Sequence, residues 1–144
     1  MPRAFLGFDH IDCRVRSIAA VEPFYDVFLS ALGLERKSYA HVDAGGEWHK
    51  PGEDKPPNAV EYYEAAHPDR PSSFIGFIER PDHVHPLTRI AFRIEPSRFD
   101  EWRDVLRRAG ARAVETSEDF DAYPAIFFED PGGTKLEIVA RRPG

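Results

Sequence analysis

The stretch FDHIDCRVRS, Phe8–Ser17, sets the reading of the whole chain. His10, Asp12, Arg14 and Arg16 recur at every second position, with Ile11, Cys13 and Val15 between them. In a β-strand this alternation sends the imidazole, the acid and the two guanidinium groups to one face and the apolar residues to the other. A polar row of that density implies something for it to face.

The sequence that follows supplies the partner elements. In SIAAVEPFYDVFLSALGLERK, residues 17–37, Val21, Phe24, Tyr25, Phe28, Leu29 and Leu32 return at helical spacing, and Gly33 is a natural stop. Three extended stretches come next: LERKSYAHV, AVEYYEA and SFIGFIER. The Gly/Pro-rich connection DAGGEWHKPGEDKPPN, residues 43–58, separates the first two and reads either as a lid or as an inert connection. The order is βαβββ.

The second half repeats it. TRIAFRIE is a strand, and PSRFDEWRDVLRRAG is a helix with Ser97 as N-cap, an apolar face of Phe99, Trp102, Leu106 and Ala109, and Gly110 as its end. ARAVETSED, AIFFED and KLEIVAR complete it, the last after the Pro131-Gly132-Gly133 turn. Laid over each other, HIDCRV matches RIAFRI and FIGFIER matches KLEIVAR. His10 then stands opposite Arg89, Arg14 opposite Arg93 and Gly76 opposite Glu137. Two copies that cannot each close a sheet are expected to pack around a shared site.

Composition limits the alternatives. The 144 residues are 42% hydrophobic and 12% aromatic with a net charge of −6, as in a globular domain. Neither the charge nor the arginines of LRRAGAR make a nucleic-acid footprint, so no nucleic-acid partner is expected. One cysteine, Cys13, excludes an intrachain disulfide; on the apolar side of its strand it reads as a small buried hydrophobe, with a reactive thiol as the alternative. No apolar run resembles a signal peptide or a membrane span, which makes a cytoplasmic location the default and a membrane partner unexpected. His41, His49 and His67 are expected in solvent, and His83 and His85 in a linker.

FDHIDCRV with FYDVFLSALGL, together with YPAIFFEDPGGTKLEIV near the C-terminus, resembles the vicinal oxygen chelate superfamily. That superfamily includes glyoxalase I, extradiol dioxygenases, fosfomycin-resistance thiol transferases, methylmalonyl-CoA epimerase and bleomycin-resistance proteins. The resemblance covers nearly the whole chain. It implies an α+β fold of two βαβββ modules, residues 5–80 and 86–142, each curling into half of a U-shaped mixed-sheet barrel. It also implies a small-molecule ligand and a homodimer.

Family enzymes hold a divalent metal with a histidine on the first strand, often an acid on the fourth, a histidine on the fifth and a glutamate on the eighth. Carried over, His10 and Glu137 are the metal ligands, for Mn, Fe, Co, Ni or Zn. Gly76 and Arg89 occupy the other two positions, and neither side chain can ligate. Three readings stay open. His10 and Glu137 hold a metal that stabilises an enolate or alkoxide; or Arg89 takes the metal's place, paired with Glu137; or these groups are pocket polarity. Asp12, Arg14 and Arg93 share the inward faces and suit an anionic or oxygen-rich substrate, or else neutralise one another in an ion-pair network. Tyr123, entering a strand from a loop, is expected to approach the ligand. The expected function is glyoxalase- or dioxygenase-like catalysis by Glu137, His10 and Arg89; the alternative is metal-free sequestration of a ligand.

Overall fold

In the computed structural model residues 4–141 are described, and the chain forms two compact units. One holds the chain up to Ile18 together with Leu29–Pro81; the other holds Ala19–Phe28 and the chain from Asp82 onward. Each is built on a mixed sheet, and the class is α+β with two βαβββ modules.

In the first unit, β1 (His10–Val15) is the edge strand of a five-stranded sheet. It runs parallel to β5 (Phe74–Glu79), followed in order by β4 (Ala59–Glu64), β2 (Leu34–Val42) and the short β3 (Trp48–His49). Val15, Ile75, Phe77, Val60 and Tyr62 form a buried face, and a smaller cluster of Val42, Ala59 and Ile78 is buried on the other. Cys13 is half-buried rather than buried.

The 43–58 connection carries a hydrogen-bonded hairpin. β3 turns back on β2 to make a hairpin, with the N–H groups of Gly45 and Glu47 bonded to Asp43 Oδ1 at 2.9 and 3.0 Å. Asn58 closes it by accepting from the Val42 N–H at 2.7 Å and donating to the Val42 carbonyl at 2.9 Å. These bonds half-bury His41 and His49, which the sequence places in solvent; His67 is exposed as expected.

In the second unit the sheet order is β6 (Arg89–Arg93), β9 (Lys135–Val139), β8 (Ala125–Glu129) and β7 (Arg112–Thr116). α1 (Ile18–Ala31) contributes most of its length to this unit, and α2 (Phe99–Ala109) lies wholly within it. The Phe28 ring meets Phe92 at 5.4 Å, Trp102 at 6.0 Å and Phe128 at 5.2 Å, so one residue of α1 joins α2 to the sheet. Pro23 inside α1 lacks an N–H for the helix ladder, and burial of Val21, Phe24, Tyr25 and Phe28 offsets that loss.

Ser97 is not an N-cap. Pro96 opens a 3-10 turn, Pro96–Arg98, ahead of α2, so Ser97 lies inside a turn and makes no capping bond. The end of α2 follows expectation: Gly110 has φ +83°, and the Ala111 N–H reaches back to the Leu106 carbonyl at 3.0 Å. α2 buries Val105 with Phe99, Trp102 and Leu106, while Ala109 is half-buried.

Candidate functional site

Strand register puts chemistry into rows. In the first unit Asp12 pairs with Gly76 and Gly76 with Glu61, so β1, β5 and β4 carry Asp12, a bare glycine and Glu61 across one face. The neighbouring row is His10, Phe74 and Tyr63. In the second unit the equivalent rows are Ala91, Glu137 and Phe127, and Arg89, Lys135 and Glu129. The two registers superimpose position for position. Where the second module has a central carboxylate between a small and an aromatic residue, the first has a central glycine between two carboxylates.

A side chain at position 76 would crowd both carboxylates. A Cβ on Gly76 would stand 2.9 Å from Asp12 Oδ1 and 3.5 Å from the Glu61 Cγ. Burial is the main cause that pushes the Glu61 carboxyl above its usual range; the Asp12 charge adds to it and a hydrogen bond from the Tyr63 hydroxyl, at 3.3 Å, opposes it. Glu79, the other acid near this strand, lies on the opposite face and accepts from the Ile18 N–H at 2.9 Å at the start of α1.

His10 is fixed on two sides. Its ring stacks on Phe74, 4.4 Å between centroids and 2° from parallel, and Phe74 stacks in turn on Tyr63 at 4.5 Å. Nδ1 lies 2.7 Å from Asp9 Oδ2, which is the main cause of its raised pKa; Nε2 is 3.8 Å from Asp12 Oδ2. A neutral imidazole donating from Nδ1 to a carboxylate presents the Nε2 lone pair outward, the tautomer and orientation that metal-ligating histidines use. Asp9 and Glu61 are the residues that sequence reasoning passed over, whereas Tyr63 is among the aromatics expected in core or pocket wall. Asp9 precedes His10 directly, and the alternation in AVEYYEA already separates Glu61 and Tyr63 from Val60 and Tyr62.

In the second unit Glu137 is a buried acid, 5% exposed, on the central strand β9. The Tyr123 hydroxyl donates to its Oε2 at 2.8 Å, and that bond, ahead of desolvation, raises the tyrosine's own pKa. Tyr123 is itself 41% exposed, so one side of the pair meets solvent. Arg89 does not pair with Glu137 here: its guanidinium lies 4.6 Å from the Phe127 ring centroid. Arg14 and Arg93 are exposed on their strands. His83 and His85 lie in the connection ahead of β6, their rings edge to face at 4.7 Å.

The donor chemistry of His10 and of Glu137 therefore suits a divalent cation residue by residue: one imidazole nitrogen with its partner nitrogen held, one carboxylate with one oxygen held. A separate donor group, Asp43, Glu47 and His49, has its donor atoms within 4.8 Å of one another on the β2–β3 hairpin. Asp43 is already engaged there by two backbone N–H groups and by His49 Nε2 at 2.8 Å, and the histidine is the main cause of its lowered pKa. Among the described residues no helix is long and apolar enough to cross a membrane.

Comparison with known proteins places this geometry in context. No family model matches the chain. The metallothiol transferase FosB of Staphylococcus haemolyticus is 26% identical over 134 residues, covering 92% of this chain and 81% of that protein. A FosX fosfomycin-resistance protein from Listeria monocytogenes, solved with Mn(II) and 1S,2S-dihydroxypropylphosphonic acid, aligns with a TM-score of 0.57 at 17% identity, covering 95% of this chain and 93% of that one. A glyoxylase/bleomycin resistance protein/dioxygenase domain from Frankia sp. EAN1pec aligns with a TM-score of 0.62 at 15% identity, covering 96% and 100%.

Proposed function

We propose that the chain, which has the fold of FosX and of glyoxalase/bleomycin resistance proteins, is an enzyme of the vicinal oxygen chelate type acting on a small, oxygen-rich, anionic molecule. The observation that carries the reading is His10, with Nδ1 2.7 Å from Asp9 Oδ2 and Nε2 3.8 Å from Asp12 Oδ2. His10 and Glu137 would hold a divalent metal, Mn, Fe, Co, Ni or Zn, which when bound polarises adjacent substrate oxygens as a Lewis acid.

The chain's own groups have the remaining roles. Arg14, Arg89 and Arg93 supply fixed positive charge for an anionic substituent. Glu61, whose burial favours the protonated form, is suited to accept and return a proton. Tyr123 holds one oxygen of Glu137 and fixes its orientation. The ligand in the Listeria protein, a diol phosphonate, unites two neighbouring hydroxyls with an anionic group and is the model for the substrate class. In nucleophilic opening of an epoxide phosphonate, whose hydration gives such a diol, the nucleophile's S–H or O–H proton passes to a base, a bond forms to one epoxide carbon as its C–O bond breaks, and the released oxygen takes a proton. A cytoplasmic homodimer is part of the proposal.

The test is incubation with fosfomycin and Mn(II), with water or a thiol as nucleophile, followed by phosphorus NMR. A new phosphonate product that requires metal, His10 and Glu137 supports the reading. No turnover of fosfomycin, or of a panel of small epoxides, diols and oxo acids, with any of the five metals overturns it. One observation favours the second reading, metal-free sequestration: Arg89 stands where a second histidine is expected and rests on Phe127. That reading predicts saturable binding with the ligand recovered unchanged.

A further inference from the structure

β7 is irregular in a way that opens a cavity. Arg112 pairs with Glu129 and Glu115 with Phe127, so three steps on β7 span two on β8 and one residue is extra. Ala113 absorbs it with φ +50°, a left-handed conformation costly for a residue with a Cβ. Val114 is left 51% exposed at the rim of a 340 Å³ cavity lined also by Arg103, Leu106, Arg107, Ala111 and Ile126. That volume is within the range of small-ligand pockets.

The cavity has a polarity of its own. Leu106 and Ile126 are buried in its floor, Val114 and the half-buried Ala111 supply the apolar surface that a ligand reaches, and both charged residues in its lining are arginines. Arg107 is bonded to Asp104, whereas Arg103 lies over the Phe99 and Phe120 rings, 5.9 and 5.6 Å from their centroids, with no carboxylate partner among the described residues. Ile126 pairs with Ile138, and Glu137 with Phe127, so the floor is on the opposite side of the sheet from Glu137. We propose that this cavity between α2 and β7 is a second binding site for a small amphipathic anion, its apolar chain or ring on Val114 and Ala111 above Leu106 and Ile126 and its carboxylate against Arg103 and Arg107. An apolar floor alone would accept any hydrophobe; the two guanidinium groups select for an anionic head.

The experiment is titration of the full chain with octanoate, followed by calorimetry and by methyl NMR of Leu106, Val114 and Ile126. One octanoate per chain is expected, with octylammonium at least tenfold weaker and the double variant Arg103→Gln, Arg107→Gln losing at least tenfold in affinity. Ala111→Phe fills the cavity and abolishes binding; Val114→Asp, which sets an acid at the rim, weakens it at least fivefold should the first variant fail to fold. His10→Ala and Glu137→Ala leave octanoate binding unchanged, which separates this site from the proposed catalytic one. Equal affinity for octanoate and octylammonium, binding that survives Ala111→Phe in a folded protein, or absence of saturable binding each overturns the proposal.

Discussion

His10 owes its character to its neighbour in sequence. The Asp9 carboxylate holds Nδ1 and keeps the imidazole's pKa above the ordinary value. Asp9→Asn is therefore expected to move the His10 titration, followed by NMR, back down toward about 6.5. An unchanged midpoint would mean that Asp9 does not govern this ring. Glu64 illustrates the opposite sign. The Arg70 guanidinium, aided by the Ser73 N–H at 2.8 Å, holds its carboxyl at about 2. A depressed folded pKa contributes stability that is fully present above the ordinary carboxylate pKa and is lost as pH falls toward about 2. Glu64→Gln should thus be less stable than the natural protein at pH 6, with the difference closing as pH falls through about 2, in paired denaturant titrations. The effect should be small, since the pair meets solvent and salt screens it. At this scale the sequence was informative where residue type alone decides, as at His10. It was silent where a contact crosses strands: Glu61 gains its setting from Gly76 and Asp12, which are distant in sequence and become neighbours through register.

At the scale of elements, the repeat was legible because the two polar alternations, the two amphipathic helices and the Asp-Pro-Gly turn leave local marks. The turn itself rests on Asp130, fully buried, whose Oδ1 accepts the N–H groups of Gly132 and Thr134 at 2.8 and 2.9 Å. Its Oδ2 accepts the hydroxyl of Tyr25 on α1 at 2.6 Å. Tyr25→Phe should leave that buried oxygen short of a donor and cost about 1–3 kcal/mol in chemical denaturation. A loss below a few tenths would show that the bond does not hold helix to turn. Phe28→Ala should cost about 3–5 kcal/mol, because the ring fills a junction of α1, α2 and sheet. What the sequence could not show is that most of α1 packs with the second sheet while its flanking strands belong to the first. Periodicity identifies which face of a helix is apolar and says nothing about which sheet receives it. The bulge in β7 was equally hidden, since a single extra residue leaves no periodic trace.

For the molecule as a whole, the proposal is that a fold shared with FosX and with glyoxalase/bleomycin resistance proteins carries metal-dependent chemistry in a chain that has His10 and Glu137 but Gly76 and Arg89 at the other two expected positions. The most direct measurement is calorimetric titration of the chelator-stripped protein with Mn(II), Fe(II), Co(II), Ni(II) and Zn(II), in parallel with His10→Ala, Glu137→Ala and Asp43→Asn. The account predicts stoichiometric binding that the first two substitutions each weaken at least tenfold and the third leaves intact. Metal binding that survives at His10→Ala and Glu137→Ala but is lost in Asp43→Asn would place the ion on the β2–β3 hairpin and contradict it, as would absence of binding at micromolar metal.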